Sequence, residues 1–280
     1  MMFRVGLSTC GAFWEEKTFA ECAANGIAAV ELSPANDMHG IYDVRKAMRY
    51  AEAHGVEVWS YHMPVEPLDI AKDGAADKSV AYLQEVIRRV ADMGITRLVQ
   101  HPSWEPIPDE ERPERIARAQ QSFAALAQTA AECGATICIE SMPRTCLARD
   151  SAEMLALLAA DPRLLTCYDI NHIMREPSEA FVRAIGSRIA TLHVSDCDHI
   201  NERHWLPGEG VLDWQAVIKA LKETGYNGVW MYEVSFGVPK TILRDRELVC
   251  ADYRRNADEL FAGNPITVLS RPKPNVGMWE

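Results

Sequence analysis

Eight short apolar runs recur along the chain, and each ends in polar residues: RVGLSTC, AAVELS, VEVWSYH, TRLVQH, ATICIE, LLTCYD, IATLHVSD and GVWMYE. Near-continuous Val, Ile and Leu suit parallel strands buried on both faces. Segments with a helical period lie between them, among them VAYLQEVIRRVADM, IARAQQSFAALAQTAAEC and WQAVIKALKET. Such alternation predicts βα repetition. Gly26, Gly55, Gly94, Gly134, Gly186 and Gly225 punctuate six helix-to-strand junctions, where a left-handed residue stops a helix. Asp161 and Pro162 make the remaining break. Eight units in 280 residues close most economically into a single-domain α/β fold, a (β/α)8 TIM barrel over residues 1–262. The competing doubly wound sheet ordinarily carries a Gly-rich turn after its first strand, which STCGAFW does not offer. Residues 263–280 have no helical period and several breakers. They are expected to form a tail that either packs on a neighbouring subunit of a homo-oligomer or covers part of the barrel.

Composition narrows the partners. No run of about 18 apolar residues exists to span a membrane. The start MMFRVGLSTC turns polar too early for a secretory apolar region, so the expectation is a soluble, cytoplasmic protein. The eight cysteines lack CxxC spacing and read as small reduced core residues, Cys10 and Cys167 included. With 29 Lys and Arg against 40 Asp and Glu, the net charge of −11 opposes diffuse binding to nucleic acid.

Strand ends carry the chemistry in a barrel of this kind, because they point into its mouth. Here they supply Glu31, His62, His101, Glu140, Asp169, His193 and Glu233, with His172 three residues beyond Asp169. Of eight histidines, His62, His101, His172, His193, His199 and His204 all fall on this one rim. A single histidine there is usually a hydrogen-bonded structural residue; six beside several carboxylates point to metal ligation. His54 sits in the last turn of a helix and reads as structural, facing the negative end of the dipole. His39 has no identifiable context, and Glu31 is expected to pair with a nearby Arg or Lys.

The ordered set YHMP, QHPS, CIESMPR, YDINH, LHVSD, RHWLPGEGVLDW and MYEVS resembles the xylose-isomerase-like superfamily of sugar and sugar-phosphate isomerases and epimerases, which also contains the apurinic-site endonucleases. The DxxH step and the PGxG turn are its specific parts. The resemblance implies a divalent metal held by Glu140, Asp169, His193 and Glu233. It also implies His62, His101, His172, Arg203 and His204 near a small-molecule sugar or sugar phosphate. Three carboxylates and one imidazole form a hard site suited to Mn(II), Co(II) or Mg(II), with Zn(II) as the alternative. In such an isomerase the metal stabilises an enediolate while acid and base groups remove and return a carbon-bound proton. Glu140 and Glu233 are the candidate catalytic pair.

The stretch ERHWLPGEGVLDW becomes the loop after strand seven, delivering Arg203 and His204 over the metal. Pro207, Gly208 and Gly210 make its sharp return, and Asp213 caps the next helix. Trp14, Trp59 and Trp104 are candidates to stack on a sugar or to pack, and Arg144, Arg175 and Lys240 to reach an anionic substrate. The alternative function is a metal-dependent phosphodiesterase, the endonuclease branch. That branch implies three zinc ions, with histidines at the places of His62, His101, His172 and His204. Glu202 stands where its pattern has aspartate.

Overall fold

The computed structural model describes residues 3–12, 14–33, 40–65, 68–274 and 276–277, so His39 lies outside the described residues. Eight parallel strands form one sheet: β1 (Arg4–Ser8), β2 (Ala29–Leu32), β3 (Glu57–His62), β4 (Arg97–Gln100), β5 (Thr136–Glu140), β6 (Leu165–Asp169), β7 (Ile189–His193) and β8 (Val229–Tyr232). Neighbours follow chain order, and β8 returns to pair with β1. The ring closes where Val194 bridges to Tyr232, its amide donating to the Met231 carbonyl at 2.8 Å. The result is an α/β TIM barrel of one domain.

Helices α1 (Glu16–Ala24), α2 (Gly40–His54), α3 (Ala76–Ala91), α4 (Arg112–Glu132), α5 (Ser151–Leu158), α6 (Ser178–Ile185), α7 (Trp214–Glu223) and α8 (Cys250–Ala262) surround it. They bury single faces: α3 turns Leu83, Val86, Ile87 and Val90 inward at the spacing of an amphipathic helix. The six junction glycines all have positive φ, as Gly94 does at +90°. Caps agree with the sequence too, since Asp213 accepts from the Ala216 amide at the start of α7.

Inside the barrel the packing is close. A Cβ on Gly6 would lie 2.6 Å from Val229, so β1 and β8 share a layer only because no side chain is there. Cys138 and Cys167 are fully buried in the barrel interior against Val99, which places them as packing residues. All eight cysteines are free thiols. Trp59 is also interior: its indole donates to Thr191 Oγ1, and the Arg97 guanidinium lies 3.5 Å over its ring. It therefore stacks on no sugar. Trp14 packs against Phe19 and Phe236, again as core. No helix among the described residues is long and apolar enough to cross a membrane.

After α8 the chain runs back across the mouth. Strand β10 (Ser270–Pro272) pairs antiparallel with β9 (Ile242–Arg244), and Ile266 covers Gly208. The loop after β7 is thus clamped between barrel and tail. Its Gly210 has no room to grow, because a Cβ would sit 2.2 Å from the Cys197 carbonyl oxygen and 2.3 Å from Asp196 Oδ1. Gly210→Ala should therefore destabilise the protein by more than about 2 kcal/mol, the cost of overpacking a rigid site. Gly55→Ala, where nothing lies within 4 Å but φ is +67°, should cost about 1 kcal/mol. Denaturant unfolding of both variants checks the order.

Candidate active site

Closure of the barrel brings residues from five strands to one point. Glu140 ends β5, Asp169 ends β6, His193 ends β7, and Glu233 follows β8 by one residue. One ligand-capable atom from each of the four lies within 4.8 Å of the others. The His193 ring sits between two carboxylate shells. Its Nδ1 is 3.0 Å from Glu140 Oε1 and 3.4 Å from Glu233 Oε2, while Nε2 is 2.9 Å from Glu31 Oε1. Glu31 pairs with no Arg or Lys; it is fully buried, accepts from Ser60 Oγ at 2.8 Å, and orients His193. Sequence reading missed that role because the partner lies 162 residues away.

Above this centre opens a cavity of about 580 Å³, within the range of small-molecule sites. His62, His101, Glu140, His172, His204 and Glu233 line it, whereas Asp169 and His193 lie fully buried beneath its floor. Cys10, Trp104, Glu105, Arg144 and Glu202 are among the other residues of the wall. Trp104, with a ring nearly parallel to that of His101, is the only one of the three proposed tryptophans that faces the cavity. Cys10 is there as well, not in the core; burial pushes its thiol up, so it is neutral.

Main-chain carbonyls set the imidazoles. Nδ1 of His62 donates to the Met63 carbonyl at 2.9 Å, that of His172 to Ser141 at 2.9 Å, and that of His204 to Glu233 at 3.2 Å. Each ring therefore offers Nε2 as its free edge. His62 Nε2 meets Glu140 Oε2 at 3.0 Å, and His172 Nε2 meets Glu202 Oε2 at 2.8 Å. Burial opposes a charged His172, but the carboxylates of Asp169 and Glu202 outweigh it and raise the ring to about 10. His62 is raised to about 9 against the same burial cost, by Glu140.

The two carboxyls of the four-residue cluster that reach the cavity differ. Burial alone would raise Glu140, yet the imidazoles of His193 and His101 hold it well below the carboxylate range. For Glu233 burial wins: despite His193 and His204, its carboxyl is raised to about 7. Asp169 is likewise raised by burial. Asp169 Oδ2 and Glu233 Oε2 are both buried without a hydrogen-bond partner. Two carboxylate oxygens left bare in one place are costly unless a cation or proton completes them.

Not every expected residue joins the site. Arg203 does not line the cavity; its guanidinium is buried on Asp198 Oδ2 at 2.8 Å and on the Gly277 carbonyl, and its amide donates to Asn171 Oδ1. It ties the loop to the tail. Lys240 is exposed and does not line this cavity, and His54 lies 3.5 Å from Glu16. Arg144 bridges Glu105 at 2.7 Å and Glu202 at 2.7 Å, linking the loops after β4, β5 and β7. The loop after β7 is shaped by Asp196, whose carboxylate accepts from the amides of Cys197, Leu212 and Gly208 and from Trp214 Nε1. Its role was missed because an Asp after a strand looks like any polar strand end.

A xylose isomerase-like TIM barrel family model matches residues 19–247. Among curated proteins, fructoselysine 3-epimerase of Escherichia coli O157:H7 is 30% identical over 91 residues, covering 32% of this chain and 33% of the relative. Fructoselysine 3-epimerase of Shigella flexneri is 28% identical over 119 residues, covering 39% and 43%. The matches thus span less than half the length of either relative. Among solved structures, a D-tagatose 3-epimerase-like protein superposes with a TM-score of 0.76 at 19% identity, covering 93% of this chain and 96% of its own. The 3-keto-D-glucoside 4-epimerase of E. coli gives 0.72 at 16% identity, covering 93% and 99%. These likenesses concern the fold.

Asp196→Ala would strand several buried donors at about 1–3 kcal/mol each, so a loss of more than about 3 kcal/mol is expected. Asp213→Ala should cost only about 1 kcal/mol, the value of an exposed helix cap. Urea titration of the two variants tests this. The match of the family model over most of the chain, together with the closed barrel, assigns this protein to the xylose isomerase-like TIM barrel family.

Proposed function

We propose that the protein is a divalent-metal-dependent sugar or sugar-phosphate isomerase or epimerase. The observation that carries this reading is the meeting of Glu140, Asp169, His193 and Glu233 atoms within 4.8 Å at the floor of a small-molecule cavity. The residues fit a metal. Two of their buried oxygens lack a hydrogen-bond partner, and three carboxylates around one imidazole suit a hard ion such as Mn(II), Co(II) or Mg(II). When bound, the ion supplies positive charge to substrate oxygens and so eases loss of a proton from the adjacent carbon.

The chain's own groups handle the proton. Epimerisation needs a base on one face of the carbon and an acid on the other. Glu233 and Glu140 both reach the cavity from different strands, which supports them as that pair. Burial raises the Glu233 carboxyl, and a bound cation would lower it again towards the carboxylate that a base must be. His204, with only Nδ1 engaged, stands nearby as a donor to sugar oxygens, His172 holds Glu202 in the cavity wall, and Trp104 offers a flat apolar face. The 3-epimerases among the relatives favour this class of reaction.

A second reading, the phosphodiesterase branch, has one observation in its favour. His62, His101 and Glu140 form a further metal-competent group, and His172, Glu202 and His204 another. Against it stand the net charge of −11 and the ion pair that holds Glu202 against Arg144. Three tightly held zinc ions with cleavage of abasic DNA would transfer the assignment.

Two outcomes test the main reading. In metal-loaded Glu140→Gln and Glu233→Gln, exchange of a ketose carbon proton with deuterated water should fall at least about 100-fold while the sugar still binds. Metal content is measured on the same samples; a fully metallated variant with wild-type exchange excludes its residue as the base. Glu31→Gln should weaken Mn(II) binding, read by calorimetry, by about 10–100-fold, because the neutral amide no longer anchors His193 Nε2. Unchanged affinity would show that Glu31 does not position the ligand.

A further inference from the structure

Next to the first cavity lies a second, of about 730 Å³, and the two share Glu105, Arg144 and His172 as their common wall. Their charged linings differ. The first interleaves Glu105, Glu140, Glu202 and Glu233 with Arg144 and the imidazoles of His62, His101, His172 and His204; the second sets Arg144, Arg149 and Arg175 against Glu105. Most of that basic charge is answered: Arg144 pairs with Glu105 and Glu202, and Arg149 with Asp109 and Glu153. Arg175, exposed at the rim of this cavity in the loop after β6, has no hydrogen bond or ion pair among the described residues. Pro106, Met174 and Ile200 give its cavity an apolar wall, which strengthens an ion pair made there. In a chain of net charge −11, an arginine without a partner among the described residues, on a pocket that shares three wall residues with the first, stands out.

We infer that the second cavity takes the anionic end of a sugar derivative, a carboxylate or a phosphate, with Arg175 as its counter-ion. The inference rests on the first cavity holding the sugar carbons. A substrate reacting over Glu140 and Glu233 passes His172 and Arg144 and brings its far end to Arg175. Arginine suits either anion, since its fork matches the oxygens of both.

Calorimetry on the Mn(II)-loaded protein tests this with D-fructose, D-fructose 6-phosphate and D-fructuronate as ligands. Wild type should bind at least one anionic sugar about 10-fold more tightly than D-fructose, the worth of one charge-assisted hydrogen bond. Which of the two gains identifies phosphate or carboxylate as the recognised group. The ratio should collapse in Arg175→Ala, fall below one in Arg175→Glu and survive in part in Arg175→Lys. Equal binding of all three sugars by wild type, including no binding of any, overturns the inference, as does a wild-type ratio in Arg175→Glu. Deuterium exchange measured in parallel separates the two claims. Exchange without charge preference removes this inference alone; charge preference without exchange removes the epimerase reading alone.

Discussion

Closure of the barrel between β7 and β8 is the constraint on which the site depends. Val194 is bonded to Met231 and Glu233 through the backbone, and its neighbour His193 is thereby brought to 3.4 Å from the Glu233 carboxylate. Neither residue could hold that relation on a free loop, where each would choose water. Because the strands are parallel, the same closure gathers the ends of β2, β5 and β6, with register shifts at Val30/Glu31 and Thr166/Cys167. A cluster of mutually repelling carboxylates is then assembled by backbone hydrogen bonds that do not depend on it.

That cluster is tolerable because imidazoles are interleaved with it. His193 is shared between Glu31 and Glu140, while His62 and His101 both face Glu140 Oε2. Two oxygens remain without a hydrogen bond, Asp169 Oδ2 and Glu233 Oε2, each beside an imidazole at 3.3 Å and 3.4 Å. Backbone carbonyls hold three of the rings by Nδ1, so the network has direction as well as charge, with Nε2 of His62 turned to Glu140 and that of His172 to Glu202. The loops above it are stiff for a different reason. Asp196 and Glu209 gather buried amides, Arg244 and Ser270 around themselves, and the tail lies over the result.

The polarity of the two cavities extends the same logic outward. Carboxylates are concentrated where a cation and a proton-transfer pair would work, and arginines where they would meet an anion. Arg144, bonded to both Glu105 and Glu202, is the partition between those fields. Its place in a positive-φ backbone conformation, with φ of 51°, shows how closely the loop after β5 is held.

The sequence by itself determined the fold and the composition of the site's centre. Apolar runs, helical periods and glycine breaks depend only on local backbone preference and burial, and such signals survive without coordinates. Residues at strand ends, Glu140, Asp169, His193 and Glu233, were legible because a parallel barrel gives every strand end the same destination. Tertiary structure alone decided what faces what. Glu31 reads as one more acid until the ring closes beside His193, Trp59 as one more aromatic until Arg97 covers it inside the barrel. Arg203 sits beside His204 in sequence and yet turns to Asp198 and the tail, because loop side chains follow long-range hydrogen bonds that no period in the sequence encodes.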